Sequence, residues 1–188
     1  MRLERRAAMA SLLADRGDDF LVVSRLGSTA WDLPALGDGD RNLGAMGGAA
    51  MIGLGLALAQ PTKRVAVITG DGEMLMGLGS LGTIGVQKPA NLAVIVFDNA
   101  VYGETGGQAS HTQSGVDLVA VARACGIGQC VDVRDEAGLA DLARRLKDLR
   151  ETLFARVAIS ADEPPRVLPE KDGVALKQRF RSALGVKA

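Results

Sequence analysis

Two short aliphatic runs constrain this chain more than any other feature: VAVIT at residues 65–69 and LAVIVF at 92–97. Each is rich in β-branched residues and bounded by Gly, Pro or polar residues, which predicts buried strands of a parallel sheet. The first ends in Gly70-Asp71-Gly72 and the second in Asp98-Asn99, with a Gly-rich helical segment between them. Open α/β sheets bind ligands beyond the carboxyl ends of their strands, where Asp71 and Asn99 then fall. An acid, an amide and two flexible glycines there suggest a hard cation of the magnesium type holding a phosphate group. The same residues admit a plainer reading, an Asp that caps a helix and an Asn that shapes a turn.

The rest of the chain supports an α/β fold. Strands are predicted at 20–23, 65–69, 92–97, 129–133 and 153–159, and helices at 3–14, 116–125, 136–149 and 174–184. Residues 31–36 form a short segment of unassigned type. The stretch 42–59, NLGAMGGAAMIGLGLALA, reads as a Gly-rich loop running into an apolar helix. This alternation predicts a doubly wound, mostly parallel sheet with helices on both faces. The 188 residues suit one domain, with a Pro-containing linker near 162–169 before the C-terminal helix.

Composition removes several function classes. Lys plus Arg equals Asp plus Glu at 22 each, so there is no basic footprint for nucleic acid. Residues 43–60 are weakly polar but short for a membrane span and contain five glycines. The N-terminal segment is interrupted by charges and offers no signal-peptide core. Cys125 and Cys130 read as two buried thiols in a reducing compartment. These points predict a soluble, cytoplasmic protein.

Residues 77–82, GLGSLG, match GxGxxG, yet that dinucleotide fingerprint needs a strand immediately before its first glycine. Here the strand ends earlier and the Gly-Asp-Gly turn intervenes, so helix packing is the better explanation. Residues 100–113, AVYGETGGQASHT with a final Gln, form a long polar loop with no assignable period. Loops of that length are more often functional than idle. The loop carries Tyr102, Glu104, Thr105, Gln108 and His111, the only histidine, as candidates for an active-site mouth.

Residues 20–112 resemble the thiamine diphosphate-dependent decarboxylase superfamily, specifically its diphosphate-binding domain. NLGAMGGA, GLGLAL, GDGEMLMGLGSLGTIG, QKPANL and DNAVYGETGGQASHT carry the likeness, which is greatest to the sulfopyruvate decarboxylase beta-subunit and phosphonopyruvate decarboxylase families. The resemblance implies that Asp71 and Asn99 ligate Mg2+ together with the main-chain carbonyl of Val101. It implies that Gly70, Gly72 and the backbone of Glu73 lie against the diphosphate, with Tyr102 close by. The LGST turn would supply a second phosphate-side loop through Gly27 and Ser28. Gly44, Ala45 and Met46 would form the loop that grips the aminopyrimidine, Met46 wedging beneath the bent cofactor. Glu73 departs from the family pattern, since a carboxylate beside a diphosphate repels it unless it turns away. Glu104, Gln108 and His111 become the catalytic candidates on the substrate side.

The same resemblance implies a decarboxylase of 2-oxo acids that requires thiamine diphosphate and Mg2+, acting on a 3-sulfo- or 3-phosphono-pyruvate-like substrate. Its chemistry needs a Glu from a pyrimidine-binding domain, and this chain has no room for one. A separate alpha subunit is therefore implied, in an α2β2 or larger hetero-oligomer. Carboligation, an oxidative 2-oxo acid reaction, a non-catalytic cofactor-binding module and a nicotinamide-binding domain are the alternatives.

Overall fold

The structure is a computed structural model that describes residues 2–14, 16–25, 27–37, 42–45 and 47–186. In chain order the elements are α1 (Arg5–Leu13), β1 (Phe20–Arg25), α2 (Ser28–Ala35), β2 (Asn42–Ala45), α3 (Ala49–Ala59), β3 (Arg64–Gly70), α4 (Asp71–Met76) and α5 (Ser80–Gln87). They continue with β4 (Leu92–Asp98), β5 (Val101–Tyr102), β6 (Gln108–Ala109), α6 (Leu118–Ala124), β7 (Gln129–Val133), α7 (Glu136–Lys147), β8 (Leu153–Ala158) and α8 (Gly173–Ala183).

Six strands form one parallel sheet in the order β2-β1-β3-β4-β8-β7. The central strands β3 and β4 are buried almost throughout, which explains why they are unbroken aliphatic runs. Successive residues serve opposite faces. Phe20, Val22, Ala66, Ile68 and Ile95 pack with Met9 and Leu12 of α1, Leu33 of α2 and Leu142 of α7. Leu21, Val23, Val65, Val67 and Val94 pack with α3, α5 and α6, and Phe180 of α8 closes that side. Gly53 lets α3 sit directly on β3, because a Cβ there would lie 2.2 Å from Val67 Cγ2.

Four details differ from the sequence expectation. Residues 42–45 form strand β2 rather than a loop, because β1 offers them a parallel edge from Val22 to Arg25. The unassigned segment 31–36 is the second half of α2 and its C-cap Leu36, and the helix's buried Asp32 is clamped by Arg5 at 2.5 Å and Arg6 at 3.0 Å. The loop 100–113 contains a short antiparallel hairpin, β5 with β6. Cys125 and Cys130 are free thiols, half-buried rather than buried. Among the described residues no helix is long and apolar enough to cross a membrane.

Chain direction fixes where a ligand can sit. From β1 the chain goes outward to β2, and from β3 it goes the opposite way to β4. The loops after β1 and β3 therefore part, opening a crevice at the carboxyl edge of the sheet. Gly27 and Ser28 follow β1 and Asp71 follows β3 on the two sides of that crevice.

Candidate functional site

Gly70 is the last residue of β3 and pairs with Phe97 of β4, so Asp71 and Asp98 leave adjacent strands side by side. Asp71 is the first residue of α4 and is 3% exposed. Burial pushes its carboxyl above the usual carboxylate range, and the nearby Asp98 charge adds to this against a hydrogen bond from Ser110. Thr112 Oγ1 stands 3.4 Å from its Oδ2. Among the described residues no Lys or Arg forms an ion pair with it. A buried carboxylate met only by hydroxyls and main chain is an unbalanced charge, and a cation is what balances it.

Asn99 follows β4 and its Oδ1 accepts the Val101 N–H at 3.2 Å. Between them Ala100 has φ +66°, a left-handed conformation that turns the chain sharply. Apart from Asp98, which pairs with Arg156, the donors at these two strand ends are one carboxylate, one amide oxygen and main-chain carbonyls. Among the described residues no three His, Cys, Asp or Glu side chains cluster as a metal site. That donor set fits Mg2+, which keeps waters and phosphate oxygens in its own sphere, and so it fits the predicted group.

Gly72 is required by sterics. A Cβ at that position would lie 2.8 Å from Tyr102 Cδ1, so the Tyr102 ring covers the Gly-Asp-Gly turn. Tyr102 Oη in turn meets His111 Nδ1 at 3.1 Å, with the rings edge-to-face. Glu73 is buried, and its Oε1 accepts the Ala49 N–H at the start of α3 at 3.1 Å. This answers the charge problem raised by the sequence: the carboxylate caps a helix.

Gly27 and Ser28 open α2, and Gly27 has φ +100°. The Ser28 N–H donates to Glu104 Oε1 at 3.2 Å, so a carboxylate oxygen rests at the start of that helix. Glu104 thus bridges the 100–113 loop to the β1 side of the crevice. Gln108 does not join this group: its amide donates to the Thr105 carbonyl at 2.9 Å and accepts from Thr105 Oγ1 within its own hairpin. Gly44 and Ala45 end β2, beside Ser24 and Arg25. Met46 lies outside the described residues.

Three residues at this edge were not singled out from the sequence: Asp98, Thr112 and Arg156. Asp98 Oδ2 accepts from Arg156 Nε at 2.6 Å and its Oδ1 from Thr112 Oγ1 at 2.8 Å. Burial works against the Arg156 charge, but hydrogen bonds to Asp98 and Asp132 overcome it and hold the guanidinium above its ordinary pKa. An arginine inside an otherwise apolar strand, LFARVA, was the available signal.

Residues 33–157 match the family model described as thiamine pyrophosphate enzyme, C-terminal TPP binding domain. The chain belongs to this family. It is 37% identical over 174 residues to sulfopyruvate decarboxylase subunit beta of Methanocaldococcus jannaschii, covering 89% of this chain and 90% of that one. It is 48% identical over 128 residues to phosphonopyruvate decarboxylase of Streptomyces viridochromogenes, covering 66% of this chain and 32% of that one. The chain thus spans about a third of the phosphonopyruvate decarboxylases that it matches. Benzoylformate decarboxylase from Polynucleobacter necessarius shares the fold, with a TM-score of 0.70 at 20% identity over 88% of this chain and 34% of that one. Within the family this chain is a decarboxylase-like thiamine diphosphate domain. The displaced GxGxxG accordingly is no dinucleotide site: it lies at the α4–α5 junction, where a Cβ on Gly77 would meet the Gly47 carbonyl oxygen at 2.6 Å.

Proposed function

We propose that this chain is the diphosphate-binding subunit of a 2-oxo acid decarboxylase that uses thiamine diphosphate and Mg2+. The observation that carries the reading is Asp71: a buried carboxylate at a strand end, without a cationic partner among the described residues, beside an Asn and a left-handed turn. Asp71, the Asn99 amide and the Val101 carbonyl would hold the metal. Gly70, Gly72 and the Glu73 backbone would bound the diphosphate, and Gly44, Ala45 and Met46 the pyrimidine. Thiamine diphosphate, when bound, supplies the electron sink that lets a 2-oxo acid lose carbon dioxide.

This chain's own residues then orient and shield. The Tyr102 ring closes the Gly-Asp-Gly turn and steadies His111 at the mouth, where His111 can hold or deliver a proton to the substrate side. Glu104 holds an oxygen at the start of α2, and a phosphate oxygen bound to Ser28 N–H would displace it. Gln108 shapes the hairpin that carries these groups.

A partner subunit would supply the pyrimidine side and its Glu. The subunit name of the M. jannaschii relative supports this, as does an apolar surface on α3 and beside it, with Met51, Ile52, Leu58, Met76 and Val86 exposed. An α2β2 or larger assembly, a cytoplasmic site of action and a sulfo- or phosphono-pyruvate-like substrate complete the proposal, the substrate class resting on the relatives' names. The test is calorimetry of the purified complex with Mg2+ and thiamine diphosphate. Binding that Asp71→Ala abolishes is expected; binding that survives the substitution refutes the assignment.

A further inference from the structure

Asp98 ends β4 just before the turn that carries Asn99 and Val101, and it is 1% exposed. A carboxylate so deeply buried is costly unless its oxygens are answered. Arg156, on the neighbouring strand β8, donates Nε to Oδ2 at 2.6 Å, while its Nη1 reaches Asp132 at 2.9 Å. The other oxygen, Oδ1, accepts the Ala100 N–H at 2.9 Å and the Thr112 hydroxyl at 2.8 Å. Thr112 is therefore shared between two acids, since the same Oγ1 stands 3.4 Å from Asp71 Oδ2.

Two consequences follow from these contacts. The Ala100 conformation, at φ +66°, is unfavourable for a residue with a Cβ. It is held on one side by Asp98 and on the other by the Ser110 N–H on the Ala100 carbonyl at 2.9 Å. Charge is the second matter. Arg156 neutralises Asp98 through Oδ2, whereas among the described residues the neighbouring Asp71 carboxylate forms no ion pair and can take a cation.

We infer that Asp98, anchored by Arg156, is a positioning residue for the metal half-site. It fixes the Asn99–Ala100–Val101 turn and the Thr112 hydroxyl, so that the amide, carbonyl and carboxylate donors are set before the cation arrives. Metal sites with little protein ligation depend on such supporting groups, whose loss weakens metal affinity by about 10- to 100-fold. The inference rests on the reading of Asp71, Asn99 and Val101 given above.

The experiment measures Mg2+ half-saturation by calorimetry at saturating thiamine diphosphate, alongside thermal unfolding, in the protein as purified with any subunit that accompanies it. Asp98→Asn and Thr112→Val are the test variants. Thr112→Val leaves the ion pair intact, so it carries the test if Asp98→Asn does not fold. Asn91→Ala is the control: its amide bonds the carbonyls of Ala57, Gln60 and Lys63 at the opposite end of the sheet. Both test variants are expected to raise Mg2+ half-saturation about tenfold, whereas Asn91→Ala lowers the melting temperature and leaves half-saturation unchanged. If the test variants lose only thermal stability, as the control does, the positioning role is overturned and the cofactor reading stands. If the wild type binds no Mg2+ and thiamine diphosphate, or Asp71→Ala still does, the cofactor reading fails and this inference falls with it.

Discussion

Substituting Gly72 by Ala tests how the cofactor turn is built. The added Cβ would lie 2.8 Å from Tyr102 Cδ1 and 3.0 Å from Cε1. Carbon atoms pack at about 3.5 Å or more, so the ring must retreat by roughly 0.7 Å or the turn must open. Overpacking of this kind costs about 1–3 kcal/mol. Tyr102 is only half-buried, which favours the lower half of that range. In a chain of 188 residues the effect is a fall in melting temperature of roughly 2–8 °C. The assay is a double-mutant cycle by urea unfolding with Tyr102→Ala as the second substitution. Gly72→Ala is expected to cost its full amount in the wild-type background and less than about 0.5 kcal/mol once the ring is gone, a coupling of about 1 kcal/mol. Equal costs in both backgrounds would refute the argument, since the clash would then not be with Tyr102.

Glu73→Ala removes the acceptor for the Ala49 N–H at the start of α3 and is expected to destabilise the chain by about 1–2 kcal/mol in chemical denaturation, while Glu73→Gln keeps most of the stability. Acid sensitivity follows from Asp132. Burial works against its charge, but hydrogen bonds from Arg134 and Arg156 prevail and hold its carboxyl below the ordinary 3.8. A depressed carboxylate stabilises the fold fully above its unfolded value, and that contribution is lost as pH falls through the lower folded value. Urea midpoints measured from neutral pH downward should therefore fall below about pH 4, and Asp132→Asn should lower the neutral midpoint and flatten that acid limb.

Local pattern carried much of the fold. The runs at 65–69 and 92–97 are strands because nothing else buries five or six consecutive aliphatic residues so economically, and the strand predicted at 129–133 is β7, Gln129–Val133. What escaped the sequence was decided by partners far along the chain. NLGA has little strand propensity and becomes β2 only because β1 presents an edge to it. The α2 helix contains Pro34 and is preceded by a glycine cap, yet it is pinned by ion pairs from Asp32 to Arg5 and Arg6, 27 and 26 residues away. The site divides the same way. Asp71 and Asn99 were legible because strand ends and turn residues mark them. Asp98 and Arg156, 58 residues apart, meet only when β4 and β8 lie side by side. The charge conflict at Glu73 was visible in the sequence, but its resolution, a cap on α3, needed the packing of two helices.

The most direct test of the account is the cofactor itself. The protein, purified with any subunit that accompanies it, is denatured in acid, and the released small molecules are separated and identified by mass, with metal measured in parallel. About one thiamine diphosphate and one Mg2+ are expected for each copy of this chain, both absent from the Asp71→Ala protein. Release of a nicotinamide dinucleotide, or of no thiamine diphosphate even after reconstitution with cofactor and Mg2+, would contradict the account.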